Sequence, residues 1–255
     1  MRLNRRFLTR AFVALLLLEA DPAGAQALPD ARSIIDRYVE AIGGDLLRSH
    51  TSMRTTGTFS LPGMGSTGQL EMAQARPNRM VMTVTLPGLG AIRSGFDGTV
   101  GWSVNPMEGP RLLSGKELEQ QSDDAAFESA LRDASLIESM ETVELTEIEG
   151  TACHIVRITW KSGRETRDCY AVDSGLLIAT MARSETVMGP VDATMLYGDY
   201  QDFGGIRMPS RTRQRVMSQE FVMTITAVEF GNVDDAAFKP PQEVLTLLKN
   251  RAVVR

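Results

Sequence analysis

The spacing of hydrophobic residues divides this chain into helical and extended stretches. Between Ile34 and Ile42, apolar residues recur three or four positions apart, which predicts an amphipathic helix. Ser33 or Asp30 can cap its start, and the pair Gly43-Gly44 ends it. Beyond this helix, apolar and polar residues alternate in short runs separated by Pro, Gly and Asn turns, so the chain changes from helix to strands.

Strands and two further helical stretches account for the rest of the chain. The predicted strands are 53–61, 68–75, 79–86, 92–96, 100–104, 142–148, 153–160, 165–172, 176–183, 193–200, 207–217 and 221–230. A capping box, Ser114 followed by Glu117, predicts one or two helices between 114 and 140, and a last helix spans 243–249. Short turns favour antiparallel pairing. We therefore predict a mainly β protein with helices (α+β), built as a large curved antiparallel sheet with helices against one face.

The first residues resemble an export signal. Four arginines up to Arg10 precede an apolar run at 11–18, and residues 23–27 read Ala-Gly-Ala-Gln-Ala, a signal-peptidase pattern. The run is far shorter than the ~20 residues that span a bilayer. We predict that residues 1–27 are a cleaved signal peptide, that 28–255 form a single domain, and that the protein is exported to the periplasm. A lipoprotein signal needs a cysteine at the cleavage point, and this segment has none, so we expect no lipid anchor.

The two cysteines of the chain, Cys153 and Cys169, lie on adjacent predicted strands around the turn at 161–164. An oxidising compartment favours a disulfide between them. A three-residue loop would pair position 153 with 171, which leaves Cys169 two positions out of register unless a bulge corrects it. A disulfide and two inert buried thiols are therefore both compatible with the sequence.

Residues that could support catalysis are scarce. The net charge of −5 argues against a nucleic-acid partner. The two histidines, His50 and His154, have no metal-ligand spacing. Residues 63–68 fit the Gly-x-Gly-x-x-Gly pattern, but a strand follows where a dinucleotide site requires a helix. We predict no enzymatic activity, no metal, no cofactor and a monomeric protein.

Apolar loop tips and the methionine content are compatible with a surface for an apolar ligand. Leu61-Pro62-Gly63-Met64-Gly65 recurs as Leu86-Pro87-Gly88-Leu89-Gly90, so Met64 and Leu89 could form an apolar rim, or fold back onto the core. The chain has 14 methionines and only 6% aromatic residues. Flexible, polarizable methionines suit surfaces that accept varied apolar ligands, although a methionine-rich strand face is also an ordinary core.

One strand carries an arginine row. Arg211, Arg213 and Arg215 alternate along it and therefore project to one face of the sheet. They could bind anionic headgroups or an acidic partner. They could equally be a solubilising exterior that blunts edge pairing.

Four segments, in order, resemble the outer-membrane lipoprotein-sorting protein family related to the periplasmic carrier LolA. They read RPNRM at 76–80, GFDGTVGW at 95–102, DSGLL at 173–177 and DYQDFGGIRMP at 199–209. The resemblance spans about residues 30–240. It implies an unclosed half-barrel whose concave apolar face is covered by helices and shelters acyl chains.

On that resemblance, the expected function is a soluble periplasmic carrier that moves lipid or acylated lipoprotein between membranes, with membrane-bound donor and acceptor proteins as possible partners. The alternative is an RseB-like sensor or interaction module that binds a protein. The residues predicted to line the cavity are Phe59, Met72, Met82, Val84, Trp102, Trp160, Met195 and Met223. The functional arginine of the carriers has no clear counterpart, so no family residue is assigned.

Overall fold

The structure, a computed structural model, describes residues 27–186, 189–231 and 233–253. The predicted signal peptide lies outside these residues, except for Ala27. The helices are α1 (Ala31–Ala41), α2 (Gly44–Ser49), α3 (Gly115–Ala125) and α4 (Gln242–Val253). The strands are β1 (Ser52–Leu61), β2 (Ser66–Ala75), β3 (Arg79–Leu86), β4 (Gly90–Phe96), β5 (Gly101–Asn105), β6 (Gly109–Leu112), β7 (Ile137–Ile148), β8 (Thr151–Trp160), β9 (Glu165–Ala171), β10 (Leu177–Ser184), β11 (Val191–Phe203), β12 (Ile206–Val216) and β13 (Gln219–Phe230).

All thirteen strands belong to one antiparallel sheet. Their order is β6-β5-β4-β3-β2-β1-β13-β12-β11-β10-β9-β8-β7, so the two ends of the strand sequence, β1 and β13, pair at its centre. Every other neighbouring pair is joined directly along the chain, as the short predicted turns require. The outermost strands β6 and β7 do not pair with each other, and the sheet is therefore unclosed. This confirms the predicted mainly β, antiparallel architecture.

Helix α3 shows how strongly the sheet curves. Its Leu118 packs against Gly101 in β5, while its Asp124 carboxylate accepts a bond of 2.6 Å from Arg164 in the β8–β9 turn. In a flat sheet, β5 and β9 would lie about 43 Å apart, because neighbouring strands are separated by about 4.8 Å. An 11-residue helix is only about 16 Å long. The sheet must bend around α3 to place both regions against one helix.

The face that α3 covers also carries the largest core. We call it the helix face; Met53, Val156 and Tyr170 point to it from the sheet and pack with Ile35 and Leu131. Helix α1 buries four of its residues there, and Asp30 caps it by accepting a 3.1 Å bond from the Ser33 amide. Of the two caps that the sequence allows, the structure uses Asp30.

The opposite face, here called the outer face, is covered in part by the end of the chain. Phe238 and Val244, which lies in the first turn of α4, pack against Trp102, Val81 and Ala73. The prediction that the helices lie against one face is therefore wrong for α4. Helix α4 lies on this face because it covers Trp102. The Trp102 side chain packs over its pairing partner Gly95 on the outer face and so points away from α3.

Several local details differ from the prediction. The capping box does not form: Ser114 precedes α3 without a side-chain bond, because Glu117 instead accepts two bonds from Arg111, at 2.7 and 2.5 Å. Strand β7 begins at Ile137, within the stretch predicted as helix. A 3₁₀ turn at Phe127–Leu131 replaces the predicted second helix. Helix α2 and strand β6 were not predicted.

The hairpins follow their turn sequences. Asp97 and Gly98 connect β4 to β5, and the Asp97 side chain accepts two backbone amide bonds at 2.9 and 2.8 Å. In the β8–β9 hairpin, Cys153 pairs with Ala171, which is the predicted register. The structure joins Cys153 to Cys169 in a disulfide across this diagonal, with the two Cα atoms 5.6 Å apart.

Candidate functional site

The helix face contains an apolar surface formed by strands alone. Leu70, Val84 and Leu86 are buried at its floor, and partly buried side chains surround them. We call these residues together the apolar strip; they are Phe59, Leu61, Leu70, Met82, Val84, Leu86, Ile92 and Met223. They come from β1, β2, β3, β4 and β13, and among the described residues this cluster includes none from a helix. The strip is therefore built by strands alone, and five of its eight side chains are only partly buried.

The residues predicted to line a cavity mostly share this face. Phe59, Met82, Val84 and Met223 belong to the apolar strip. Met72 pairs with Met82, and Met195 belongs to the same face farther along the sheet; both are partly buried. Trp160 also points to the helix face but is buried in the helix-covered core. The prediction that Trp102 lines the cavity is wrong, because Trp102 is fully buried on the outer face.

Both residues predicted for the rim protrude. Met64 is 67% exposed at the β1–β2 turn, and Leu89 is 38% exposed at the β3–β4 turn. Neither folds back onto the core. Two further exposed side chains, Met107 at 82% and Met217 at 73%, lie at the β5–β6 and β12–β13 turns. The strand directions place all four turns at the same end of the sheet. Sequence reasoning missed Met107 and Met217 because their turns do not repeat the Leu-Pro-Gly motif.

A buried polar cluster lies under the 3₁₀ turn on the helix face. Asp168, which is fully buried, accepts bonds from Arg132 Nε at 2.7 Å, from Thr180 Oγ1 at 2.9 Å and from the Tyr170 hydroxyl at 3.2 Å. Arg132 also donates to the Ser129 carbonyl at 2.6 Å. A buried charge pair is stable only when its remaining donors and acceptors are satisfied, as they largely are here.

Burial shifts the ionisation of the groups in and around this cluster. Desolvation raises the pKa of Tyr38 to about 12 and the pKa of Tyr170 well above its ordinary value. Burial alone would lower the pKa of the Arg132 guanidinium, but the Asp168 carboxylate holds that pKa well above its usual range. The tyrosines are therefore neutral and Arg132 is charged at physiological pH.

Sequence reasoning missed this cluster for a topological reason. Arg132 and Asp168 are 36 residues apart and meet only because the segment between β6 and β7 crosses the helix face. Arg132 also has a left-handed backbone, with φ of 51°, an unusual conformation for arginine. Neither feature has a signal in hydrophobic spacing.

A cleft of about 490 Å³ opens between α3 and the ends of β8 to β11. Its walls carry charges of both signs, for example Lys116, Asp123, Arg164 and Arg183. Asp123 accepts a 2.5 Å bond from the Ser162 hydroxyl, and partial burial raises the pKa of its carboxyl. Sequence reasoning did not identify this cleft.

The arginine row lies on the outer face, and part of it is already paired. Arg213 and Arg215 both form ion pairs with Glu149 of the β7–β8 turn, and Arg215 also binds Glu220 at 2.9 Å. Arg211 is exposed beside a groove of about 490 Å³ that Arg213 and Glu220 also line. These carboxylates offset much of the positive charge that an anionic headgroup would require.

No group of three His, Cys, Asp or Glu side chains within the described ranges has the geometry of a metal site. In the same part of the chain, no helix has the length and apolarity needed to cross a membrane.

These features define a class: an open antiparallel half-barrel with a helix-covered inner face and a surface of apolar strand residues on that face. No family model matches the sequence, and no curated protein matches it. Solved structures do match, and they have the LolA-like fold. The chain is similar to a LolA superfamily protein from Nitrosomonas europaea, with 13% identity, a TM-score of 0.56 and coverage of 84% of this chain and 99% of that one.

Two other solved structures support the same fold. A DUF1329 family protein from Desulfovibrio piger gives 14% identity and a TM-score of 0.56, covering 82% of this chain and 96% of that one. A putative outer membrane lipoprotein-sorting protein domain from Vibrio parahaemolyticus gives 8% identity and a TM-score of 0.52, covering 80% and 97%. At such identities the likeness concerns the fold, and it confirms the LolA-like fold that the sequence resemblance implied.

Proposed function

We propose that this protein is a periplasmic carrier that binds an acyl chain of a lipid or lipoprotein on the apolar strip and transfers it between membranes. The observation that carries the proposal is the strip itself. Five of the strip residues, among them Phe59, Met82 and Met223, are only partly buried by the protein's own strands. A chain laid along them would complete their burial, which is the driving force for binding.

The energy of such burial is large enough for carriage. Each buried CH₂ group contributes about 0.8 kcal/mol, so a sixteen-carbon chain gains on the order of 10 kcal/mol at full burial. Met82 and Met223 have unbranched side chains that adapt to a mobile ligand. Binding of this kind involves no covalent step, and release needs only an acceptor that buries the chain as well.

Helix α3 is the element best suited to open over a ligand. Of its residues only Ala125 is buried, whereas α1 buries four. Polar contacts hold α3 to the far side of the sheet: Asp123 to Ser162, Asp124 to Arg164, and Gln120 to the Glu185 amide at 2.8 Å. Such contacts exchange readily with water, so α3 can move at lower cost than α1.

The predicted export signal adds a location to the proposal. The export signal predicted at 1–27 would bring the protein to the periplasm, where lipid must cross an aqueous space. Membrane-bound donor and acceptor proteins would load and unload a monomer. The LolA-like fold supports this assignment by analogy, since it also occurs in a lipoprotein-sorting protein domain.

The test is equilibrium binding of a fluorescent fatty acid to the purified protein, with two variants of β3. Met82→Glu places a charge in the strip. Thr83→Glu is the matched control, because Thr83 is the next residue on the strand and points to the outer face. We expect Met82→Glu to weaken binding at least about tenfold, since an isolated charge is costly beside an acyl chain.

The control should bind as the unmodified protein does. Equal binding by Met82→Glu, with thermal stability unchanged, would remove the strip as the binding site. Absence of binding in the unmodified protein would favour the interaction module, with a protein ligand in place of lipid.

A further inference from the structure

The four exposed turn residues at one end of the sheet form a surface that the apolar strip alone does not explain. We call Met64, Leu89, Met107 and Met217 the apolar rim. We propose that the apolar rim docks this protein on a lipid bilayer by inserting these side chains between the headgroups. The inference rests on the proposed function, because it identifies where the acyl chain would enter and leave.

The spacing of the rim favours a bilayer as its partner. Successive tips belong to the β5–β6, β3–β4, β1–β2 and β12–β13 turns, which are two strands apart along the sheet. At about 4.8 Å per strand, neighbouring tips are separated by about 10 Å. Single apolar side chains this far apart form no continuous patch for a protein partner. They can each enter a fluid interface independently.

Parts of three of these turns project from the protein, although Gly90 of the β3–β4 turn lies beside Pro106 of the β5–β6 turn. A Cβ atom added to Gly63, Gly65, Gly88 or Gly109 would meet no atom within 4 Å. Met64, Met107 and Met217 are 67%, 82% and 73% exposed, so they gain little burial within the molecule. Their side chains therefore remain available to another apolar phase.

The charge of the tips indicates the mode of binding. The four turns, 61–66, 86–90, 105–109 and 217–219, include a single charged residue, Glu108. Basic clusters attract anionic lipid from a distance. Without such a cluster at the rim, binding should depend on apolar insertion, and a neutral membrane should suffice.

The rim is continuous with the proposed acyl site. Leu61 and Leu86 belong to the apolar strip and directly precede the tips of Met64 and Leu89. A chain leaving the bilayer at these tips would reach the strip without crossing water. This continuity gives the docking surface a role in transfer.

The test is co-flotation with phosphatidylcholine vesicles at low and high salt. The rim variant is Met64→Ser/Met107→Ser/Met217→Ser. The control variant, Leu28→Ser/Leu46→Ser/Leu145→Ser, removes the same number of exposed apolar side chains from elsewhere. All proteins carry the same N-terminal residues, so that segment contributes equally. We expect the rim variant to lose vesicle binding by about tenfold or more while the control retains it, at both salt concentrations.

Equal flotation of the rim variant and the unmodified protein would overturn the proposal. So would an unmodified protein that binds no phosphatidylcholine vesicles, or one that binds only anionic vesicles and releases them in salt. Binding of a fluorescent fatty acid without vesicles separates the two hypotheses. If the fatty acid does not bind but the vesicles do, through the rim, the carrier function fails and the docking surface stands.

Discussion

Arg132 and Asp168 form a buried ion pair that fastens the crossing segment between β6 and β7 to strand β9. The Arg132 Nε atom donates to an Asp168 oxygen at 2.7 Å, and the Asp168 side chain is fully buried. The two halves of the sheet meet at β1 and β13, while their outer edges remain unpaired. A polar anchor on the segment that joins these edges therefore fixes the shape of the open half-barrel.

Replacing Asp168 by Asn should destabilise the protein by about 3 kcal/mol. The change leaves the Arg132 guanidinium buried without its counter-ion, and breaking one side of a buried pair typically costs 3 to 5 kcal/mol. Urea unfolding of Asp168→Asn measures the effect. The exposed Asp173→Asn variant is the control and should differ from the unmodified protein by less than about 0.5 kcal/mol. Equal stability of the two variants would contradict an anchoring role for the pair.

Stability should decline at alkaline pH because of the buried tyrosines. The pKa of Tyr38 is raised from 10.0 in the unfolded chain to about 12 in the fold. The folded state therefore holds this proton more tightly. Its contribution is complete below about pH 10 and is lost as the pH rises towards 12. Burial likewise raises the pKa of Tyr170, Tyr197 and Tyr200.

The measurement is the free energy of unfolding between pH 8 and about pH 11.5, for the unmodified protein and Tyr38→Phe. Phenylalanine keeps the ring contact with Tyr170, whose centroid lies 5.3 Å away. We expect both proteins to be less stable above about pH 10, and the variant to show the smaller decline. Superimposable pH profiles would mean that Tyr38 titrates normally.

The disulfide should stabilise the protein because it closes a loop in the unfolded chain. Cys153 and Cys169 are 16 residues apart, a loop for which the chain-entropy model gives about 3 kcal/mol. We therefore expect a reductant to lower the denaturation midpoint of the unmodified protein and to leave Cys153→Ala/Cys169→Ala unchanged. A midpoint that is the same with and without reductant would show that the bond adds nothing.

The sequence predicted the architecture because hydrophobic alternation and turn residues act locally. The hairpin at Asp97-Gly98 and the pairing of Cys153 with Ala171 both follow from turn chemistry. The failures arise where tertiary contacts compete. Glu117 binds Arg111 in place of the capping box, and Ile137 joins a strand because Trp160 pairs with it.

The candidate site was only partly predictable for the same reason. Alternation along a strand placed Phe59, Met82 and Met223 on one face without any knowledge of the fold. It could not decide which face Trp102 occupies, because a one-residue shift in the pairing register moves every side chain of a strand to the opposite face. Contacts across the curved sheet, such as Arg132 with Asp168, depend on the path of the whole chain and have no local signature.

The length of the acyl chain should set its affinity for the apolar strip. A chain that lies along uncharged side chains gains mainly from burial, and about 0.8 kcal/mol per CH₂ corresponds to roughly fourfold tighter binding for each carbon. Because five of the eight strip residues are only partly buried in the unliganded protein, we expect a bound chain to stay partly exposed, and the observed factor should be smaller than this limit. Titration with fatty acids of increasing length, in low and high salt, measures it. We expect affinity that rises steadily with length and responds little to salt. Affinity that is independent of length, or that collapses in salt, would mean that the carboxylate is recognised at a charged site such as the cleft beside Lys116 and Arg183, and that the strip is not the acyl-chain site.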